Sequence, residues 1–178
     1  FRDYIYLSLF TAARRNNVLG MRWRDIDLDA KLWTIPGETS KNGSIMRVPL
    51  ADAALEILHR RKATATSIFV FPSNNTTGHY NTPTKAWKSL LRRADLHDLR
   101  LHDLRRSCGS VMVNQGTSLA VIGGALGHKH HSSTAVYARL QVSTVRDALE
   151  QATRAMLATK DRPEKVVPLK KAGGSAEK

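Results

Sequence analysis

Cysteine is almost missing from this chain, which has one, Cys108, among its 178 residues. A single cysteine excludes a disulfide within the chain and a zinc site built from cysteines, and it fits a reducing cytoplasm. Acidic residues are also scarce, at 15 against 28 lysines and arginines, so the formal net charge is +13. This excess favours a polyanionic partner, because each phosphate that a Lys or Arg neutralises releases condensed counterions. Charge alone leaves DNA, RNA and an anionic membrane surface open.

Long hydrophobic runs are lacking as well. The sequence has no run of about 18 or more apolar residues, so it predicts no membrane span, and its first residues lack the pattern of a signal peptide. Because the chain does not begin with Met, we expect it to be a fragment whose N-terminal part was removed. Pro, Gly, Lys and Glu dominate from Asp161 onward, which predicts a folded domain over residues 1–160 and a flexible basic tail over 161–178.

Apolar spacing predicts a mainly α fold with a small antiparallel β-sheet, an α+β class. Leu32–Ile35 and residues 45–49 have the composition of strands, and Lys41, Asn42 and Gly43 between them give a strong hairpin signal. Helices are predicted near the N-terminus around Tyr4, after Arg14, and over residues 51–62, 82–94 (capped by Thr82), 102–115, 118–126 (capped by Ser118 and ended by Gly127), 132–140 and 143–159.

Several motifs with chemical potential follow one another along the chain. They are Arg14 in Thr-Ala-Ala-Arg, His102 and Arg105 in His-Asp-Leu-Arg, His128 in Leu-Gly-His, and Tyr137 nine residues further on. An Arg, a His-x-x-Arg and a Gly-His leading to a Tyr, in that order, resemble the catalytic set of the tyrosine recombinases, the family of the phage integrases. The resemblance runs over residues 1–140 and so covers most of the chain.

This resemblance implies a fold and an activity. The fold is the tyrosine recombinase catalytic domain, and the activity is site-specific DNA recombination, or integration, that cuts and rejoins DNA through a 3′-phosphotyrosyl intermediate without metal, cofactor or ATP. Family members also carry an N-terminal DNA-clamping domain, which we expect to be missing here. They exchange strands as homotetramers on double-stranded DNA, often through a C-terminal helix, for which residues 143–159 are the candidate. The expected compartment is the cytoplasm of a bacterial host.

Breaking a phosphodiester with a protein nucleophile poses an electrostatic problem, because negative charge grows on the non-bridging oxygens. Guanidinium groups answer it, since they stay charged and their planar fork matches phosphate. Arg14 and Arg105 are the candidates. By resemblance, His128 joins them in stabilising the five-coordinate phosphorus.

The same reaction must also move two protons. A phenol with a pKa of about 10 has to lose one, and the leaving 5′ oxygen has to gain one. By resemblance, Tyr137 is the nucleophile and His102 the proton acceptor. Lys41, at the tip of the predicted hairpin, is the proton donor to the leaving oxygen.

The helix predicted over residues 102–115 has one face for the site and one for the core. His102 and Arg105 are three apart, so one helix face presents both. Gly109, four residues beyond Arg105, leaves room on that face for a bulky partner such as a backbone phosphate. The opposite face, which includes Leu104 and Val111, is expected in the core.

Two positions depart from the family pattern. Ala12 stands where the family has Gly, and we expect it to matter little on a helix. Asn17 stands where an acidic residue is usual, and it removes a partner for an active-site arginine. These departures favour an alternative, a catalytically silent DNA-binding module. Chromosome-dimer resolvases, transposon recombinases and type IB topoisomerases stay open within the same chemistry.

A basic stripe occupies one side of the helix predicted after residue 82. It consists of Lys85, Lys88, Arg92 and Arg93, at i, i+3, i+7 and i+8. A solvated charged face is the usual meaning of such a pattern. With the net charge and the motifs, a DNA-binding face that follows phosphates is an equal alternative.

No metal site is expected. Asp25, Asp27 and Asp29 alternate as in a calcium loop, but an EF-hand would need Gly at position 30 and Glu at position 36, where Ala and Pro stand. The three histidines between residues 128 and 131 have no Cys or distant His to complete a zinc site.

Overall fold

The computed structural model describes residues 1–40, 43–128, 132–138 and 142–158. Lys41 and the predicted tail, residues 161–178, lie outside this described part. The chain divides into two compact units, Phe1–Val142 and Ser143–Lys178. Within the described residues the helices are α1 (Arg2–Thr11), α2 (Arg15–Leu19), α3 (Asp52–Lys62), α4 (Thr84–Arg93), α5 (Asp103–Asn114), α6 (Leu119–Ala125), α7 (Ser132–Ala135) and α8 (Val142–Ala158), and the strands are β1 (Ile26–Asp27), β2 (Leu32–Ile35) and β3 (Met46–Pro49).

The small antiparallel sheet confirms the predicted fold class. Its strand order is β1-β2-β3, with Ile26 opposite Trp33 and Ile35 opposite Met46. The two predicted strands pair with each other as expected. The connection between them is longer than a tight hairpin turn, because residues 36–45 separate the strands and include the 3₁₀ turn Gly37–Thr39. Strand β1 has two residues, too few for its alternation to be read from the sequence.

A first hydrophobic core joins α1, the sheet and α3. Alternate residues of β2, Trp33 and Ile35, face this core because side chains along a strand alternate between its two faces. Helix α3 contributes four buried residues at helical spacing. The buried members are Tyr4, Leu7, Ala13, Val18, Leu19, Met21, Trp33, Ile35, Val48, Leu50, Ala54, Leu55, Ile57, Leu58, Val70 and Phe71.

A second, smaller core lies between α5 and α6. Its buried members are Ala12, Val113, Ile122, Leu126 and Tyr137. The expectation that Val111 belongs to the core was wrong, since its side chain is 59% exposed. Helix α5 is rotated so that the buried side runs through Leu104, Arg105, Gly109 and Val113. The face that carries Arg105 is therefore packed into the protein.

Helix ends follow the sequence signals in part. Ser118 caps α6 as predicted, because its Oγ accepts from the Val121 N–H at 3.4 Å. Thr82 does not cap α4, whose first residue is Thr84 and whose N-cap is Pro83. The helix predicted over 132–140 is interrupted after α7, since residues 136 and 137 form a turn; residues 139–140 lie outside the described part.

Helix α8, taken by itself, is exposed along much of its length. Leu149, Met156 and Leu157 are large apolar residues open to solvent. Among the described residues, no helix is both long enough and apolar enough to cross a membrane.

Candidate active site

The buried guanidinium of Arg105 connects three distant segments of the chain. Its Nη1 donates to the carbonyl oxygen of Ala12 at 2.6 Å, 93 residues away along the chain, and its Nη2 donates to the carbonyl of Leu126. Only 6% of Arg105 is exposed. A guanidinium has more N–H donors than these two carbonyls use, so Arg105 keeps donors for a ligand.

Ala12 is not on a helix, which corrects the sequence expectation. It follows α1 with φ 50° and ψ 17°, in the left-handed region. This conformation costs an L-residue ~1–2 kcal/mol relative to the right-handed one. Thr11 supports the turn: its Oγ1 donates to the Leu7 carbonyl at 2.6 Å and accepts from the Ala13 N–H at 3.3 Å. The turn places the Ala12 carbonyl against Arg105, and Arg14 lies two residues after Ala12.

Arg14 lies close to Arg105, and the charge of each guanidinium acts on the same small volume. It is the N-cap residue of α2, and its Nη2 donates to the Gly127 carbonyl at 3.3 Å. Neither arginine forms an ion pair with a carboxylate of the described residues. Burial, followed by the charge of Arg14, lowers the pKa of Arg105 to about 10. Two guanidinium groups held together without a counter-charge create a strong site for an anion.

Gly127 ends the α6 segment and directs His128 inward, as the sequence predicted. Its φ is +56°, and the N–H groups of Gly127 and His128 bond to the carbonyls of Gly124 and Gly123, both at 2.9 Å. The half-buried imidazole of His128 then places Nδ1 2.9 Å from Thr134 Oγ1. Burial, and then the charges of the two arginines, lower the pKa of His128 below its usual 6.5.

Tyr137 lies in the turn after α7, with its ring in the second core. Only 6% of the residue is exposed, and its N–H donates to the Thr134 carbonyl at 3.0 Å. Its phenol fills the space that the sequence assigned to a phosphate: a Cβ on Gly109 would lie 2.8 Å from the Tyr137 hydroxyl oxygen. Burial raises the pKa of Tyr137, and Arg105 acts in the opposite direction because its charge favours the phenolate.

His102 is the N-cap residue of α5. Desolvation lowers its pKa first, and the charges of Arg105 and Arg106 lower it further. His102 is in turn one of the groups that lower the pKa of His128. The structure thus brings His102, Arg105 and His128 into one electrostatic cluster.

A cleft of about 290 Å³ opens beside Arg14 and His128. Ser40 and Ser44 line it, and these residues flank Lys41, which itself lies outside the described residues. Arg47 of β3 also lines the cleft, and sequence reasoning missed it. A single Arg on an exposed strand position carries no sequence signal that separates it from a solvated charge. Among the described residues, no three His, Cys, Asp or Glu side chains are grouped as metal ligands would be.

Asn17 lies on α2 and is buried, and its backbone N–H donates to the Arg14 carbonyl at 2.9 Å. Among the described residues its Nδ2 has no acceptor, and only 7% of the residue is exposed. A buried donor without an acceptor costs about 1–3 kcal/mol. The amide therefore has an N–H group available at the position where the family pattern has a carboxylate.

The basic stripe is solvent-exposed. Lys85, Lys88, Arg92 and Arg93 all lie on the outer side of α4, and Trp87 anchors the inner side by donating from Nε1 to the Leu99 carbonyl at 2.9 Å. Within the described residues no carboxylate forms an ion pair with the stripe. No hydrogen bond or ion pair of those residues connects the stripe to the arginine cluster.

Comparison with known proteins agrees with the motifs. The sequence model of the phage integrase family matches residues 2–144. The integrase of Salmonella phage P22 is 29% identical over 133 residues, which cover 68% of this chain and 34% of that protein. The tyrosine recombinase XerC of Xanthomonas axonopodis pv. citri is 27% identical over 143 residues, which cover 78% of this chain and 47% of that protein. The chain therefore spans a third to a half of these curated relatives.

Solved structures show the same fold. The Tn1549 transposon integrase, solved in complex with circular intermediate DNA, superimposes with a TM-score of 0.66 at 14% identity, over 84% of this chain and 59% of that one. Identity at this level shows likeness of fold. The expected tyrosine recombinase catalytic-domain fold is confirmed.

Proposed function

Because the chain belongs to the phage integrase family, we propose that it forms the catalytic domain of a site-specific recombinase that cuts and rejoins double-stranded DNA through a 3′-phosphotyrosyl intermediate. One observation carries the proposal. Arg14 and Arg105 lie together without a carboxylate partner among the described residues, next to a buried tyrosine. Such a site attracts an anion and holds a nucleophile beside it. We assign the catalytic domain to residues 1–160 and a tail to 161–178.

The arginines have an electrostatic task in this scheme. As the Tyr137 oxygen forms a bond to phosphorus, charge grows on the two non-bridging oxygens, and Arg14, Arg105 and His128 stabilise it with N–H donors. Donors fixed in place before the reaction need no reorganisation during it. The two backbone carbonyls that hold Arg105 fix its plane, which makes it the best-positioned of the three.

Proton transfer completes the step. The phenolic proton of Tyr137 passes to His102, whose lowered pKa keeps it unprotonated and able to accept at neutral pH. The bond from phosphorus to the 5′ oxygen breaks, and Lys41 donates a proton to that oxygen. Attack by a 5′ hydroxyl reverses the sequence and releases Tyr137. Because the phosphotyrosyl bond conserves the energy of the phosphodiester, rejoining requires no ATP.

The proposed binding to DNA is supported by the positive charge of the protein. The net charge of +13 and the open basic stripe supply cations for phosphates. A homotetramer on DNA would use α8, whose Leu149 and Leu157 are exposed to solvent and offer apolar surface to a second copy. The proposed site of action is DNA in the cytoplasm of a bacterial host.

Two other functions have support. A chromosome-dimer resolvase or a transposon recombinase would use the same chemistry, and the likeness to the tyrosine recombinase XerC is as compatible with these roles as with integration. A catalytically silent DNA-binding module is favoured by one observation, the unsatisfied amide of Asn17 at the position where the family pattern has a carboxylate.

A nicked duplex that loses its short 5′ segment after cleavage separates these functions. Cleavage of such DNA traps the covalent complex, because the segment needed for rejoining diffuses away. A recombinase yields a protein–DNA species that survives denaturation and forms equally well in excess EDTA, since guanidinium groups compensate the charge. A silent module binds the duplex and yields no such species. A strict Mg²⁺ requirement for cleavage would contradict the proposed charge compensation.

A further inference from the structure

Thr134 contacts both a stabilising group and the nucleophile of the proposed reaction. Its Oγ1 lies 2.9 Å from Nδ1 of His128, and its carbonyl oxygen accepts the N–H of Tyr137 at 3.0 Å. The residue is 3% exposed, so water does not compete for these contacts. One buried residue on α7 thus contacts both, with its side chain at His128 and with its backbone carbonyl at Tyr137.

The contact with Thr134 bears on which nitrogen of the His128 ring carries the proton. A neutral imidazole carries one N–H, and the partner of one nitrogen decides which nitrogen bears it. A phosphate oxygen needs a donor. His128 can supply one from Nε2 only if Nδ1 is the acceptor, and a threonine hydroxyl can donate to it. The neutral form dominates near pH 7 because burial and the two arginines lower the pKa of His128.

We propose that Thr134 is a positioning residue that donates to Nδ1 of His128, keeps the N–H of that ring on Nε2 for the phosphate, and couples the ring to the turn that carries Tyr137. This inference rests on the proposed recombinase function. It adds a residue outside the Arg, His-x-x-Arg, Gly-His and Tyr motifs.

A glycine on the neighbouring helix supports the assignment. A Cβ on Gly123 would lie 3.1 Å from Thr134 Oγ1, closer than an ordinary contact, whereas a Cβ on Gly124 would meet nothing within 4 Å. Glycine in a helix costs roughly 0.5–1 kcal/mol relative to alanine. At Gly123 the missing side chain lets the Thr134 hydroxyl approach α6, which carries the chain directly into His128.

Matched substitutions at residue 134 test the proposal on the whole chain. Thr134→Val keeps the shape and removes the hydroxyl, and Thr134→Ser keeps the hydroxyl. We expect single-turnover cleavage of the nicked duplex to fall about 10- to 100-fold in Thr134→Val, as for other residues that orient a ligand group, with DNA affinity unchanged. Thr134→Ser restores most of the rate. A parental cleavage rate in Thr134→Val would overturn the proposal.

Two readouts exclude a merely structural effect. In the ¹H–¹⁵N spectrum of the parent, His128 shows its proton on Nε2, and Thr134→Val shows a mixture of tautomers. A proton on Nδ1 in the parent would overturn the proposal. In His128→Ala, adding Thr134→Val causes no further loss of rate, because the group that Thr134 positions is gone; a full additional loss would contradict the coupling.

Failure of the proposed function is distinguishable from failure of this inference. If Tyr137→Phe and His128→Ala cleave like the parent, the recombinase assignment of these residues is wrong, whatever Thr134 does. If both lose cleavage and Thr134→Val does not, the catalytic assignment stands and the positioning role is wrong.

Discussion

The phenol of Tyr137 lies against the backbone of Gly109, so that a Cβ on residue 109 would be 2.8 Å from the tyrosine hydroxyl oxygen and 2.8 Å from Cζ. Real Cβ atoms do not approach side chains this closely. Helix α5 therefore holds the proposed nucleophile in a place that only glycine leaves open, one helical turn beyond Arg105.

Substituting Gly109 tests this packing. Gly109→Ala adds a methyl group that pushes the Tyr137 ring out of the second core, and we expect the free energy of unfolding to fall by about 1–3 kcal/mol, as for other overpacked sites. Thermal or denaturant unfolding measures this change. Covalent trapping on the nicked duplex should slow in parallel, since the displaced phenol no longer lies beside Arg105.

Gly124→Ala is the matched control for that measurement. Residue 124 is a helical glycine with open space around the added Cβ. The substitution should leave stability unchanged or raise it by up to about 1 kcal/mol through helix propensity. Equal losses in both variants would contradict the account of Gly109, because they would show a general intolerance of alanine.

Arg105 should affect catalysis more than binding. Arg105→Lys keeps the charge, but a single ammonium group cannot reach the Ala12 and Leu126 carbonyls and a phosphate together. We expect the rate of cleavage to fall by about 10²–10³-fold, the usual cost of a lost transition-state donor, and DNA affinity to fall by much less. Parallel binding and single-turnover assays separate the two quantities. Equal losses in both would indicate a role in ground-state binding alone.

Much of the fold was predictable because its signals are local. Apolar periodicity and the cap at Ser118 place α3, α5 and α6 within one or two residues. The turn at Gly127 was also predictable, since a glycine just after a helical apolar pattern indicates a left-handed helix end. These features depend on a few neighbouring residues.

The missed features depend on contacts that are distant in sequence. Ala12 adopts a left-handed conformation that the residues around it do not predict. The buried Arg105, 93 residues later in the chain, binds its carbonyl in that conformation. Gly109 was correctly identified as leaving space, but the occupant comes from a turn after another helix. The proposed role of Thr134 could not be predicted either, because its contact with His128 forms only when the chain folds and brings His128 against α7.

Stability should fall as the solution is acidified below about pH 6.5. The pKa values of His102 and His128 are lowered in the folded protein, by desolvation first and then by the arginines. Below the unfolded value of 6.5 the unfolded chain binds more protons than the folded one, so protonation favours unfolding. Urea unfolding from pH 8 to pH 5 measures the slope. The His102→Asn/His128→Asn double variant should have a flatter profile, and a slope equal to that of the parent would contradict the assignment.

The basic stripe should control the salt dependence of DNA binding. Each phosphate contact contributes a slope of about −0.9 in log K against log salt. If Lys88 and Arg92 both contact phosphates, the Lys88→Ala/Arg92→Ala variant should flatten the slope by roughly 1–2 units. The control removes two exposed cations that already pair with carboxylates, Arg2 and Lys31. A stripe variant with the parental slope would place the path of the DNA elsewhere.

The most direct measurement is covalent trapping of Tyr137→Phe beside Tyr6→Phe. Both variants lose one hydroxyl, but Tyr6 is exposed on α1 and belongs to none of the motifs. The account predicts that Tyr6→Phe forms the denaturation-resistant adduct as the parent does, with the modified peptide containing Tyr137. It predicts that Tyr137→Phe still binds the nicked duplex and forms no adduct. An adduct of parental yield in Tyr137→Phe would show that another residue attacks the DNA and would contradict the central claim.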